Sequence, residues 1–131
     1  RLPKLRSRDC IVFSKYLEKE SLDFTQAFRN LGDLFTENSS FYPQTPELSE
    51  FTTKWKNRVK NVDQLDHINP IYIPRNHLVQ KVIDDAYEGH FDSFHKLIKV
   101  TSNPYHENDE YAEFARGPKP DERVYQTFCG T

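Results

Sequence analysis

The chain has no methionine, two cysteines, one tryptophan and four glycines among its 131 residues. Each shortage closes off a class of protein. Two cysteines in a chain of this length do not make a disulfide framework, and they suit a reducing compartment. The glycines (Gly32, Gly89, Gly117 and Gly130) are scattered, so no glycine-rich loop is present to cradle a phosphate. No apolar run approaches the ~20 residues of a bilayer-spanning helix, and the opening residues do not read as a signal peptide. Charge of either sign is also lacking in excess. Eighteen basic and twenty acidic side chains leave a formal net charge of −2, with no general pull toward nucleic acid or anionic membrane. The opening RLPKLRSRD has no start methionine, which leads us to expect a piece of a longer polypeptide.

What the chain does have is aromatic: 14% of its residues are Phe, Trp or Tyr, while alanine is scarce. That balance favours a core of Phe, Tyr and Leu. Helical spacing recurs along the sequence. Phe13, Tyr16 and Leu17 form one apolar face. In SLDFTQAFRNLGDLF, Asp23 can cap a helix with Gln26 three residues on, and Phe24, Ala27, Phe28 and Leu31 form a stripe. After the turn-rich TENSSFYPQTP, Thr45 caps and Pro46 takes the first helical position. Leu48, Phe51, Trp55, Val59 and Val62 then share a face. Asn69-Pro70 is an extended or turn element, and Pro74 can start a helix that runs through Leu78, Val79, Val82, Ile83 and Ala86. Gly89 is its natural left-handed stop. Phe91, Phe94, Leu97 and Ile98 begin another helix at once, so the pair reads as an αα-hairpin. RGPKPDER is a breaker-rich linker into the tail. The expected fold is all-α, with about five to six helices in residues 1–118 and an irregular, extended tail, 119–131, that carries Cys129.

Catalytic motifs are sparse. Arg8-Asp9 lacks the histidine and downstream asparagine of a kinase catalytic loop, and no DFG follows. The five histidines show no spacing that puts two ligands on one helix face. NDEYAEF is acidic without calcium-loop spacing, and Asn38-Ser39-Ser40 matches only the short glycosylation triplet. The basic KWKNRVK surrounds a tryptophan that belongs to the buried stripe, so its cations cover a wet face. Packing is the default role for Cys10. Cys129 lies third from the end, where a thiol cannot pack as in a core. It is either an inert terminal residue or an accessible sulfur able to react.

Three stretches carry a resemblance. NPIYIPRNHLVQKVIDDAYEGHFDSFHKLI, NPYHENDEYAEFARGPKP and ERVYQTFCGT resemble, in this order, the C-terminal end of the selenoprotein O family of kinase-like protein adenylyltransferases. LDFTQAFRNL resembles a segment further upstream in the same region. The resemblance implies a parent with a kinase-like fold that uses ATP and Mg²⁺ or Mn²⁺ to transfer AMP to Ser, Thr or Tyr hydroxyls of protein substrates. The catalytic, nucleotide-binding and metal residues of that family lie upstream, so none is expected here and the fragment alone is not expected to be an enzyme. Cys129 occupies the position of the family's terminal selenocysteine or cysteine, and Phe128 stands where selenocysteine forms have another cysteine. The family implies a redox-responsive role for Cys129, with its partner cysteine outside this chain. Asn69, Pro70, Pro74, Arg75 and Asn76 match an NP…PRN pattern. For Arg75 and Asn76 this allows either docking against the kinase-like lobe of the parent chain or satisfaction of backbone groups around two prolines. A bacterial cytoplasmic location is expected, with no nucleic-acid or membrane partner. The alternative is an independent helical module that recruits a protein.

Overall fold

The computed structural model describes residues 7–36 and 39–125, and the fold over them is all-α, with no strand. Seven α-helices occur among the described residues: α1 (Ser7–Lys19), α2 (Phe24–Arg29), α3 (Pro46–Lys56), α4 (Leu65–Ile68), α5 (Asn76–Tyr87), α6 (Asp92–Thr101) and α7 (Ala112–Ala115). A 3₁₀ segment, Asn30–Phe35, continues α2. The chain divides into two compact units between Asn69 and Pro70. Asn69 is extended there, with φ −97° and ψ 113°, as a residue ahead of proline should be.

The first unit is built on α1 and α3. Phe13, Tyr16 and Leu17 are buried from α1, and Leu48, Phe51 and Trp55 from α3. The Phe13 and Phe51 rings stack with centroids 4.2 Å apart. Thr45 caps α3 as its sequence requires, its Oγ1 accepting from the Leu48 N–H at 3.1 Å. The Asp23 carboxylate likewise accepts from the Gln26 N–H at 2.9 Å at the start of α2. Buried hydroxyls reach across the loops: Tyr16 donates to the Pro43 carbonyl at 2.7 Å, and Tyr42 donates to the Ala27 carbonyl. Burial, aided by Glu20, pushes the Tyr16 phenol up to about 12.

Asp9 is buried on α1, where Arg58 donates to it at 2.7 Å and Lys54 lies 3.6 Å away. The Arg58 hydrogen bond is the main reason its carboxyl is held below the ordinary range. Three local expectations differ from the structure. α3 ends at Lys56, so Val59 and Val62 pack on the core from the following turns and not from the helix. Phe24 stands exposed as the first residue of α2, its ring lying outside the core against Phe28 at 4.6 Å between centroids. Cys10 is exposed: α1 turns the Phe13–Tyr16–Leu17 face inward and leaves Cys10 with Ile11 outside.

The second unit is the expected αα-hairpin of α5 and α6 with α7 against it. Gly89 turns the hairpin with φ +85°. Tyr72, Leu97, Val100 and Phe114 form the buried core, with Leu78, Val79 and Val82 leaning on it. The segment before α5 is tied down at both ends. The Ile71 N–H donates to the Pro104 carbonyl at 2.7 Å, and the Tyr72 hydroxyl exchanges hydrogen bonds with the Asn108 backbone.

Candidate functional site

The second unit holds a cleft of about 760 Å³. One wall is α5, contributing Leu78, Lys81, Val82 and Asp85; Ser93 and Lys96 of α6 and Phe114 of α7 face it. The segment from Arg116 to Val124 closes the remaining side. Leu78, Val82 and Phe114 supply an apolar floor.

Three ion pairs surround that floor. Lys81 and Asp85 meet at 3.0 Å one helical turn apart. Lys96 reaches Glu113 at 3.2 Å while its ammonium stands 5.4 Å from the centre of the Phe114 ring. Arg116 grips Glu122 with both ends of its guanidinium, at 2.6 and 2.8 Å. Asp85 is held below the usual carboxylate range, first by the Ser93 hydroxyl and then by Lys81. Glu122 is pulled down to about 2, chiefly by the Arg116 hydrogen bonds and then by the Lys119 N–H. Each of these three cations has its own counter-ion, and His77 and Arg123 line the cleft beside them. Paired charges over an apolar floor suit packing or the recognition of a polypeptide segment.

Arg75 lies at the foot of α5. It is buried, and its guanidinium donates to the Ala115 carbonyl at 3.0 Å, tying the start of α5 to the end of α7. Asn76, the first residue of α5, is exposed. Both line a smaller cleft of about 470 Å³ with Pro118, Val124 and Tyr125. Cys129 lies outside the described residues. Among the described residues no three His, Cys, Asp or Glu side chains gather as metal ligands. No helix there is long and apolar enough to cross a membrane.

Over 88% of its length, the chain is 35% identical to a protein of Nitrobacter winogradskyi named protein nucleotidyltransferase YdiU. Its identity to the protein of that name from Maridesulfovibrio salexigens is 37% over the same share. In Bacillus mycoides the figure is 33% over 89%. These YdiU proteins are the selenoprotein O family. The chain belongs to it. It spans about a quarter, 26%, of the length of each of these curated relatives. No family model matches the chain, and no solved structure matches it.

Within this selenoprotein O chain, the Arg116–Glu122 clasp is the feature that sequence reasoning passed over. RGPKPDER reads as a linker because glycine and two prolines interrupt it. The signal was an arginine and a glutamate flanking those breakers, with Pro120 placed to open a single 3₁₀ turn, Pro120–Glu122.

Proposed function

We propose that this chain is the helical C-terminal region of a selenoprotein O-type protein adenylyltransferase, an enzyme that transfers AMP from ATP to hydroxyls of protein substrates. In this reading the region is not itself catalytic. It completes the kinase-like domain of its own polypeptide, where ATP and Mg²⁺ or Mn²⁺ are held, and it carries Cys129 as a redox-responsive end that pairs with a cysteine beyond these residues. The location is the bacterial cytoplasm.

One observation carries the reading: identity of 35–37% spread over 88% of the chain to proteins named as nucleotidyltransferases. Compensated ion pairs around the larger cleft, and the use of Arg75 on a backbone carbonyl, accord with a supporting role. The test compares the full-length protein with one truncated before residue 1, supplied with labelled ATP and a protein acceptor. Label transfer should require the full-length chain, and these 131 residues alone should transfer none. Transfer by the isolated chain, or none by the full-length protein, overturns the reading. For the redox part, the oxidised full-length protein is digested and its disulfides mapped. A Cys129 that stays free, with transfer indifferent to reductant, removes that role.

The second reading, an independent helical interaction module, draws on the first unit, whose eleven buried core residues form a core of its own. It requires an endogenous product of about 15.5 kDa, which intact-mass measurement would detect.

A further inference from the structure

α6 carries one broad apolar band, of which the core covers only one edge. Leu97 and Val100 point into the core of the second unit. Phe91, which caps the helix, and Phe94 and Ile98 within it follow one another at spacings of three and four, which places them along the outer edge of that band. They are 54%, 42% and 51% exposed. α6 also has a polar side, with Asp92, His95, Lys96 and Lys99, so its apolar band is wider than the core of the unit covers. α5 repeats the pattern more weakly: Leu78, Val79 and Val82 lean on the core while Ile83 and Tyr87, four residues apart, are exposed.

The unit also has little core to spare. Among the described residues four buried hydrophobic side chains form its core, against eleven in the first unit. Small units that bury so little are marginal unless further surface is covered.

We infer that the Phe91–Phe94–Ile98 edge, at the start of α6 and along it, is a docking surface for the remainder of the same polypeptide, the roughly three quarters of the relatives' length that this chain does not span. The inference rests on the reading above and names the surface by which the region joins the kinase-like domain. Size selects this occupant over a second copy. Half-exposed Phe and Ile side chains offer roughly 300 Å² in all, well below the ~800 Å² per partner of a stable dimer. A partner on the same chain does not need that area, because the tether supplies a high effective concentration and spares most of the cost of association. Asp92, His95 and Lys99 edge the stripe, so the matching surface is apolar at its centre and mixed in charge at its rim.

The test places the photo-crosslinking residue p-benzoylphenylalanine at position 94 of the full-length protein, with position 98 as a second site should the first variant fold poorly. After irradiation, adducts are mapped by mass spectrometry. The same preparation is assayed for AMP transfer. The expected result is an intramolecular adduct to a segment outside these 131 residues, independent of protein concentration. Concentration-dependent cross-linked dimers, adducts confined to residues 7–69, or no adduct at either position would each overturn the inference. A preparation that shows the expected adduct but transfers no AMP keeps the docking surface and removes the adenylyltransferase reading; active protein without the adduct does the reverse.

Discussion

Glu122 shows how much one carboxylate can organise. It accepts two guanidinium hydrogen bonds from Arg116 and a third from the Lys119 N–H at 2.9 Å, closing a loop that two prolines would otherwise leave open. Its pKa falls from an ordinary 4.5 to about 2. A depressed carboxyl stabilises the fold fully above its unfolded value and loses that contribution as pH falls through the folded one. The loop should therefore loosen between pH 4.5 and about 2. The amide-exchange protection factor of Lys119 will drop across that window, and Glu122→Gln will lower it at neutral pH. A protection factor flat through the window contradicts the assignment. Arg75 invites the complementary experiment. Its buried bond to Ala115 predicts that Arg75→Ala lowers stability by about 1–3 kcal/mol, since the bond involves a charged donor. Denaturant unfolding measures this. Lower stability with normal specific AMP transfer in the full-length protein marks a scaffold residue, whereas lost transfer at unchanged stability marks docking.

At the scale of the element, local chemistry and long-range packing divide the labour. Thr45 meets the Leu48 N–H, so Thr45→Ala should cost about 1 kcal/mol in thermal or denaturant unfolding. Gly89 sits at φ +85° with nothing within 4 Å of where a Cβ would stand. Gly89→Ala therefore meets no steric obstacle, only backbone strain, and should cost about 1–2 kcal/mol, with Gly89→Asn costing less. These features were legible in the sequence because a cap or a left-handed stop depends on residues within one turn. Where α3 ends was not legible: Val59 and Val62 keep the helical spacing and still pack on the core after the helix has stopped at Lys56. The inner face of α6 was hidden for a related reason. Phe91, Phe94, Leu97 and Ile98 read as one face, but the structure buries Leu97 with Val100 and leaves the others outside. Periodicity cannot tell which edge of a broad apolar band will be covered; only what packs on it can. The cleft's ion pairs were equally out of reach. Lys96 meets Glu113 seventeen positions away, a pairing that exists only once α7 has folded back on α6.

The whole chain is two units with unequal cores, and that inequality has a thermodynamic consequence. Phe13, Phe51 and Trp55 belong to an aromatic stack in the first unit, where Phe51 lies within 4.2 Å of Phe13 and 6.2 Å of Trp55 between ring centroids. Among the described residues the second unit has four buried hydrophobic side chains and keeps a stripe of Phe and Ile in water. Heating the 131-residue chain should therefore melt the second unit first. The single tryptophan makes this directly observable, because Trp55 is buried in the first unit and its fluorescence reports that unit alone, while far-ultraviolet circular dichroism sees the helices of both. Ellipticity should begin to fall at a lower temperature than the fluorescence change, in two steps. Phe51→Ala, which removes the centre of the stack at a cost of about 3–5 kcal/mol, should bring the fluorescence step down toward the first ellipticity step and leave that first step in place. If the two probes instead coincide in the unaltered chain, the units unfold as one cooperative body. The small core of the second unit would then draw its stability from the first, and α6 would need no other polypeptide to explain its outward face.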